Sequence, residues 1–355
     1  MSTNSPPPIH KRQFASDNYS GICPEAWKAM EEANQGHASA YGEDDWTRRA
    51  CDRLRDLFEI DCEVFFAFNG TAANSLATSA MCRSYHSVLC HELCHMITDE
   101  CGAPAFFSNG TVLKSIPGKN GKMDPAAVEY AVNHRTDIHY PKPKVLSITQ
   151  STELGTVYTT EEIRELGELA GRLGLRFHMD GARFANAIAS KGVHPAEFTW
   201  KAGVDVLCFG GTKNGMAVGE AIIFFDQDLA WEFDYRSKHT GQLASKMRFL
   251  AAPWCGILED QVWIRHATHA NNCAQKLATA IEQIDRLKVV MPCEANAVFV
   301  EMPQSWIDEL YQLGWHFYSF IGEGHARLMC SWDTTDEDIE DFMRDVKKVS
   351  ETIAV

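Results

Sequence analysis

The sequence predicts an α/β protein with a mostly parallel, doubly wound sheet in a large domain and a small C-terminal α+β domain. Two apolar runs, Phe177–Arg183 and Val204–Phe209, have the composition of buried parallel strands. The first ends in Asp180 and Arg183, and Lys213 follows the second closely. Because open α/β sheets bind ligands at the carboxyl ends of their strands, we expect these side chains to share one site. Taken singly, each charge fits a simple exit to solvent equally well.

The composition is that of an ordinary globular protein with two domains. The chain has 355 residues, of which 45% are hydrophobic and 23% charged, enough for a large core. With 33 Lys and Arg against 48 Asp and Glu, the net charge of −15 argues against nucleic acid or an anionic membrane surface as a partner. We expect residues 1–20 to form an N-terminal arm, 21–249 the large domain and 250–355 the small domain.

The N-terminal residues and the cysteines bear on localisation. The segment Met1–Pro8 lacks the apolar core of a signal peptide, and no stretch approaches the length of a membrane span. We expect this segment to be disordered. Twelve cysteines are spread over the chain, some inside apolar runs, such as Cys208 and Cys330. Reduced core thiols in the cytoplasm are the expected state.

Helices and strands alternate along the first two thirds of the chain. Pro24 suits the first turn of a helix and Asp124 suits an N-cap, which places two helix starts. The predicted helices cover 24–33, 46–58, 124–132 and a stretch from 160 closed by glycines at 171 and 174. The predicted strands cover 87–90, 106–114, 144–149 and 221–225. This alternation is typical of a parallel sheet with helical crossovers.

The turn at Gly70 and Thr71 has the features of an anion site. It follows the strand Glu63–Phe68 and precedes the small-residue helix Ala72–Met81. Free backbone N–H groups and the helix dipole point at such a turn. Thr71 adds a hydroxyl group. Many turns of this kind bind nothing, so phosphate binding is one of two interpretations.

The segment His91–His95 matches the His-Glu-x-x-His pattern of zinc peptidases. That function needs both histidines one turn apart on a helix, Glu92 as base and a third ligand. The pattern begins at the end of the strand-like run Ser87–Cys90, and no further ligand motif follows it. A histidine beyond a strand end can instead stack on a planar cofactor, and His95 is the better candidate for that task.

The last third of the chain has a different organisation. Asp234–Arg248 is basic and loop-like, either a solvated connector or an anion contact that reaches a neighbouring subunit. A long helical stretch from Leu250 to Ile284 follows. Short strands and helices then alternate, at 288–291, 297–302, 305–313, 326–331 and from 335 onward. This change indicates the small α+β domain.

An Asp, an Arg and a Lys at one sheet edge can hold a pyridinium ring and bind its aldehyde covalently. The order of the motifs resembles the pyridoxal-phosphate-dependent threonine aldolases, within the aspartate-aminotransferase-like fold (fold type I). The resemblance covers nearly the whole chain after the arm. It depends on Ser16-Asp17, Tyr41–Asp45, Gly70–Asn74, His95, His178–Arg183, Thr212-Lys213, Arg327 and Ser331–Asp333.

The resemblance implies a site for pyridoxal 5'-phosphate. Lys213 would carry the cofactor covalently, and Asp180 would pair with the pyridine nitrogen. Arg183 would contact the phenolic oxygen of the ring, and His95 would stack on the ring face. The phosphate would be held by Gly70, Thr71 and Thr212.

The resemblance also implies a substrate site and an assembly. Arg327 would receive the substrate carboxylate with help from Ser16, since Arg suits that planar bidentate task. Further substrate contacts are expected from His95, Arg183 and Glu153. Such enzymes form tight dimers with sites at the interface, so a homodimer or homotetramer is expected. Two basic residues, Lys238 and Arg248, would act across that interface.

The implied reaction is retro-aldol cleavage of L-threonine, L-allo-threonine or phenylserine into glycine and an aldehyde. His95, or a water that it holds, would take the proton of the β-hydroxyl. In one respect the chain departs from the family, because Gln150–Glu153 replaces the usual Glu-Asn-Thr-His and puts Glu153 where a histidine is common. Asn214 also follows the lysine where glycine is usual. A β-eliminating lyase, an aminotransferase, a zinc peptidase using His91–His95 and a non-catalytic binding protein are the alternatives.

Overall fold

A computed structural model describes residues 12–320 and 322–353. The large domain contains a seven-stranded sheet in the order β1-β7-β6-β5-β4-β2-β3. Its strands are β1 (Glu63–Ala67), β2 (His86–His91), β3 (Val112–Ile116), β4 (Lys142–Thr149), β5 (Arg176–Gly181), β6 (Val206–Phe209) and β7 (Glu220–Phe224). In that order, neighbouring strands between β6 and β3 are all parallel, whereas β7 is antiparallel to both of its neighbours, β1 and β6. The prediction of a mostly parallel sheet is confirmed.

Helices cover both faces of this sheet. Successive residues of β6 alternate between two apolar cores: Leu207 packs with Leu54 and Phe184 in one, and Val206 packs with Leu76 in the other. The helices of the large domain are α1 (Pro24–Ala33), α2 (Asp45–Phe58), α3 (Gly70–Met81), α4 (His95–Thr98), α5 (Ala103–Phe107), α6 (Pro125–Asn133), α7 (Thr160–Leu173), α8 (Phe184–Lys191) and α9 (Phe233–His239). Because both faces are buried, the sheet is doubly wound, as predicted.

Helix ends follow the local sequence. Asp44 caps α2 by accepting the Thr47 N–H at 2.8 Å. Thr159 and Glu162 form a reciprocal capping box at the start of α7. Gly174 ends α7 at φ 67°, a left-handed conformation that glycine adopts without steric cost. These signals explain why the predicted bounds of α2 and α7 lie close to the observed ones.

The C-terminal part of the chain forms a four-stranded antiparallel sheet in the order β10-β11-β9-β8. Its strands are β8 (Lys288–Val289), β9 (Ala297–Glu301), β10 (Tyr318–Ser319) and β11 (His325–Met329). The remaining helices are α10 (Arg248–Leu258), α11 (Val262–Ile281), α12 (Gln304–Gln312) and α13 (Asp336–Thr352). Leu277, Leu310 and Phe342 bring α11, α12 and α13 into one apolar core with this sheet.

The N-terminal segment joins this second core. Phe14 is fully buried there, stacked on Trp315 with ring centroids 5.9 Å apart. The Phe14 N–H donates to the His316 carbonyl at 2.7 Å, and the Phe14 carbonyl accepts the Met329 N–H at 2.8 Å. The expected disorder of Met1–Pro8 lies outside the described residues, and the predicted domain boundaries remain a prediction.

Three local predictions were wrong. The strand expected at 106–114 is the helix α5 followed by β3, because Pro104 occupies the first turn of a helix that ends at Phe107. The loop-like basic segment contains α9. The single long helix expected from Leu250 is two helices, α10 and α11, separated by a break in which Asp260 adopts φ 47°.

No helix within residues 12–320 and 322–353 is long and apolar enough to cross a membrane. All twelve cysteines are free, and ten of them are buried. Burial raises the pKa of the Cys51 and Cys82 thiols to about 12. The thiols therefore behave as small core side chains.

Candidate active site

Two cavities meet at the carboxyl ends of the central strands. The helix-side cavity, about 340 Å³, lies against the first turn of α3 and the ends of β5 and β6. The interdomain cavity, about 400 Å³, lies between the large-domain sheet and β9 to β11. Asn18, His95 and Lys213 line both. The cavities therefore form one cleft, with Lys213 at the junction.

Lys213 lies on a single helical turn, Thr212–Asn214, that follows β6. Desolvation lowers the pKa of its ammonium, and repulsion by Arg183 lowers it further, while Asp17, Asp180 and Glu220 oppose the shift. A lysine with a lowered pKa is a better nucleophile at neutral pH. Glu220 fixes the turn by accepting the Gly211 N–H at 2.7 Å.

Asp180 is buried at the end of β5, 5% exposed. Its Oδ1 accepts the Ala182 N–H at 3.0 Å, and its Oδ2 accepts the Asn74 Nδ2–H at 2.9 Å. The parallel pairing of β5 with β6 places Asp180 opposite Cys208, five residues before Lys213. The structure thus brings together Asp180 and Lys213, as the strand pattern predicted.

The first turn of α3 faces the helix-side cavity. Asn69 caps the helix by accepting the Ala72 N–H at 2.9 Å, which leaves the N–H groups of Gly70 and Thr71 at the helix start. Gly70, Thr71 and Thr212 all line this cavity. A helix N-terminus and two hydroxyl groups suit a phosphate.

A buried ion pair links Arg183 to the N-terminal segment. Arg183 donates from Nε and Nη2 to the two carboxylate oxygens of Asp17, at 2.7 and 2.9 Å. Burial alone would raise the pKa of Asp17, but Arg183, Lys213 and the Asn296 amide hold it below its usual value. Asp17 belongs to a predicted motif, yet its partner was not predicted, because the two residues lie far apart in sequence.

The small domain contributes Arg327 to the interdomain cavity. Its guanidinium lies over the rings of Tyr318 and Phe320, at 5.2 and 5.4 Å, and donates to the Ala15 carbonyl at 3.2 Å. Burial lowers the pKa of Arg327 to about 10, so the side chain stays charged at neutral pH. Its Nε is shielded from solvent without a hydrogen-bond partner. Among the described residues, no carboxylate lies within 4.0 Å of it, and Ser16 lines the same cavity.

Glu153 also faces the interdomain cavity. Its Oε1 accepts the His95 N–H and the Thr149 hydroxyl, both at 2.8 Å. Its Oε2 is shielded from solvent and has no hydrogen-bond partner. Burial raises the pKa of Glu153 to about 7, so the carboxyl group can exchange a proton near neutral pH.

His95 begins α4 and borders both cavities. Its Nδ1 lies 3.1 Å from Oε1 of the buried Glu100. The same carboxylate oxygen accepts the Asn74 Nδ2–H at 3.0 Å. Sequence reasoning missed Glu100, and its only signal was an acidic residue five positions after His95.

The positions of the two histidines contradict the hypothesis of a zinc-peptidase site at His91–His95. His91 ends β2 and His95 begins α4, so the two histidines do not share a helix. The His91 ring contacts the Leu93 N–H and the Gly118 carbonyl, whereas the His95 ring contacts Glu100. Within the described part of the chain, the group with metal-ligand spacing is a different one, Cys23, Glu25 and His266. In that cluster Glu25 Oε2 and His266 Nε2 lie 3.4 Å apart, and burial lowers the pKa of His266.

Comparison with known proteins identifies the family. The profile of the beta-eliminating lyases matches residues 13–305. A low specificity L-threonine aldolase of Pseudomonas aeruginosa is 60% identical, over 96% of this chain and 98% of its own. The chain belongs to the low-specificity L-threonine aldolases. The chain is also 24% identical to the low specificity L-threonine aldolase of Saccharomyces cerevisiae, over 82% of this chain and 74% of the yeast chain.

A solved structure supports the same assignment. The Leishmania major threonine aldolase superposes with a TM-score of 0.90 at 26% identity, covering 96% of this chain and 99% of that one. The predicted fold class and the predicted lyase class are confirmed. The zinc-peptidase alternative is wrong.

The side chains of this threonine aldolase fit pyridoxal phosphate. A ring would need a carboxylate for its nitrogen, an amine for its aldehyde and an anion site for its phosphate. Asp180, Lys213 and the first turn of α3 supply these three features around one cavity. Arg327 supplies an unpaired cation in the adjoining cavity, where an amino acid would sit.

Proposed function

We propose that this lyase cleaves L-β-hydroxy-α-amino acids into glycine and an aldehyde in the cleft at Lys213, with pyridoxal 5'-phosphate in the helix-side cavity. The observation that carries the proposal is the meeting of the two cavities at Lys213. One cavity has the groups for a cofactor and the other has the groups for an amino acid. The family membership supports the reaction class.

The helix-side cavity would hold the cofactor by four kinds of contact. Lys213 would bind its aldehyde through Nζ, and Asp180 would keep a proton on its pyridine nitrogen. The first turn of α3, with the hydroxyl groups of Thr71 and Thr212, would hold the phosphate. His95 would cover one face of the ring. When bound, the cofactor supplies an electron-accepting ring next to the substrate Cα.

The interdomain cavity would hold the amino acid. Arg327 and Ser16 bind the substrate carboxylate, and Arg183 adds positive charge from its position beside Asp17. Anchoring of the carboxylate fixes the rotation about the bonds at Cα. This orientation favours cleavage of the Cα–Cβ bond over loss of the α-proton or of CO2.

Two side chains stand ready for the proton of the β-hydroxyl. His95 presents an imidazole to the cleft, and Glu153 presents a carboxyl group whose pKa is about 7. We assign the proton to His95. Glu153 holds the His95 backbone N–H through the 2.8 Å hydrogen bond, and its side chain lines the interdomain cavity in which the substrate would bind. A carboxyl group stands at this position, where the resemblance to the family leads us to expect a histidine.

The side chain of the substrate would meet apolar groups in the interdomain cavity. Leu93, Phe320 and Met329 line it, and these are apolar side chains. Phenylserine therefore belongs with L-threonine and L-allo-threonine among the proposed substrates.

Assembly into a homodimer or homotetramer is part of the proposal. Large aromatic side chains are exposed on this side of the large domain: Phe68, which lines the helix-side cavity, is 56% exposed, and Tyr235 on α9 is 76% exposed. Tyr41 is 47% exposed, and Lys238 lies over its ring at 4.5 Å. A second subunit would bury these aromatic side chains. Lys238 and Arg248 of one subunit would then lie close to the active site of the other. The twelve free cysteines support a reducing compartment such as the cytoplasm.

A product assay over L-threonine, L-allo-threonine and both diastereomers of phenylserine tests the proposed reaction. The cofactor-loaded enzyme should release equal amounts of glycine and aldehyde. Ammonia with a keto acid would support an eliminating lyase, and a new amino acid formed only with an added keto acid would support an aminotransferase. Cofactor binding without turnover of any of these amino acids would support the non-catalytic alternative.

A further inference from the structure

Glu100 is a buried carboxyl group that has no Arg or Lys partner among the residues that the structure describes. Its side chain has 0% exposure. Its polar contacts are His95 Nδ1 at 3.1 Å and Asn74 Nδ2 at 3.0 Å, both to Oε1, while Oε2 has no hydrogen-bond partner. A buried carboxylate normally needs a charged partner. The cationic partner that the geometry offers is the imidazole of His95.

The Asn74 amide connects Glu100 to Asp180. Its Nδ2 group carries two hydrogens and lies 3.0 Å from Glu100 Oε1 and 2.9 Å from Asp180 Oδ2. Both hydrogens are therefore used, one for each carboxylate. The result is a hydrogen-bonded chain, His95–Glu100–Asn74–Asp180, that runs behind the cleft.

This series of hydrogen bonds fixes which edge of the His95 ring faces the cleft. The Nδ1 edge faces Glu100, and beside an ionised Glu100 the neutral imidazole would carry its proton on Nδ1 and donate it to the carboxylate. Nε2 is then the edge with a free lone pair. The His95 backbone is held from the other side by Glu153. Glu100 therefore constrains the ring of His95, and Glu153 constrains its backbone.

We propose that Glu100 is a positioning residue of this aldolase, which holds His95 with Nδ1–H toward Glu100 and Nε2 free to accept the proton of the substrate β-hydroxyl. The carboxylate acts on the ring as the aspartate acts in a serine-protease triad, by selecting a tautomer and stabilising the imidazolium. This inference rests on the proposed role of His95.

The neighbouring charges favour the same arrangement. Glu100 raises the pKa of His95 through their hydrogen bond, and Asp180 adds to this, while burial and Lys213 oppose it. Burial raises the pKa of Glu100, with Asp180 adding to the shift and His95 and Asn74 opposing it. Further titratable groups close by are the carboxyl groups of Glu153 and Asp99 and the buried thiol of Cys208.

The substitution Glu100→Gln separates tautomer control from packing. Glutamine keeps the volume of the side chain, but its amide can donate to Nδ1 and would then move the ring proton to Nε2. In that tautomer His95 cannot accept a proton from the substrate. Glu100→Asp keeps the charge at a shorter reach and serves as the conservative variant. Glu92→Gln, at an exposed glutamate one turn before α4, is the matched control.

Nitrogen-15 NMR of histidine-labelled holoenzyme gives a readout besides turnover, with the His95 resonance assigned by its absence in His95→Ala. In Glu100→Gln we expect the proton to move to Nε2 and the His95 pKa to fall by about one unit. We expect kcat for L-threonine to fall at least about tenfold, since the wrong tautomer cannot act as base. KM should change less than about twofold, because Arg327 and Ser16 are untouched. Glu100→Asp should restore part of kcat.

Two results would overturn the proposal. One is an unchanged His95 tautomer and pKa in Glu100→Gln, and the other is an equal loss of kcat in Glu92→Gln. Failure of the proposed function gives a different pattern. In that case His95→Ala keeps full turnover, while Glu100→Gln still shifts the His95 resonance and so supports the positioning role.

Discussion

Replacing Arg327 by methionine removes the cation that faces the interdomain cavity from β11. The structure leaves Nε of Arg327 without a partner, while Nη2 donates to the Ala15 carbonyl. Nη2 carries a second hydrogen, so Nη2 together with Nε or with Nη1 still offers one bidentate edge to the substrate carboxylate. Hydrogen bonds to a charged group contribute about 1.5–3 kcal/mol each, so losing two costs about 3–6 kcal/mol.

A loss of that size lowers kcat/KM for L-threonine by about 10² to 10⁴-fold. Both KM and kcat should change, because the same contact binds the amino acid and orients its Cα–Cβ bond. Steady-state kinetics of the cofactor-loaded variant measures both constants. Arg327→Lys should recover only part of the loss, since an ammonium cannot form the bidentate contact.

A surface arginine provides the control. Arg344 lies on α13, 63% exposed, in an ion pair with Asp341. Arg344→Met should leave kcat/KM unchanged, because exposed ion pairs contribute little. Cofactor absorbance should also be unchanged in Arg327→Met, since Arg327 does not line the helix-side cavity. Retention of kcat/KM within about threefold in Arg327→Met would refute the assignment of the carboxylate site.

Two further predictions concern buried acids. Because the pKa of Glu153 is raised to about 7, this carboxyl ionises as the pH rises through neutrality. In Glu153→Gln the acid limb of the pH profile of kcat/KM should lose that ionisation. An unchanged acid limb would show that Glu153 does not contribute to the pH dependence of kcat/KM. Asp17 has a lowered pKa, so its pairing with Arg183 stabilises the fold above its unfolded pKa and is lost as the pH falls through the lower folded value. Asp17→Asn should cost about 3–5 kcal/mol at neutral pH, because it leaves a buried guanidinium unpaired. Thermal melting should show a lower Tm whose difference from wild type shrinks in acid, and equal Tm values at neutral pH would contradict this reasoning.

Local sequence patterns predict the parts of the site that lie at strand ends and helix starts. Asp180 and Lys213 follow apolar runs, and the Gly70-Thr71 turn separates a strand from a helix, so each residue carries its own signal. Their meeting follows from the parallel topology, since the carboxyl ends of such strands share one edge. This is why the core of the site could be predicted before the fold was known.

The remaining contacts depend on packing between distant segments. Asp17 reaches Arg183 across 166 positions, and Asn74 reaches Asp180 across 106. Glu100 belongs to no recognisable motif in the sequence, although it contacts His95, which lies only five positions away. No local periodicity specifies such pairs, because they form only when the two elements are docked. The same holds for Phe14, whose burial in the small-domain core is a tertiary contact.

Borohydride reduction of the cofactor-loaded protein, followed by peptide mass mapping, tests the central claim most directly. Reduction fixes pyridoxal phosphate on the amine that holds it. We expect bleaching of the cofactor colour and a single labelled peptide, with the label on Lys213. Lys213→Ala should give no label and no turnover. A label on a different lysine, or full turnover by Lys213→Ala, would contradict the assignment of the cleft.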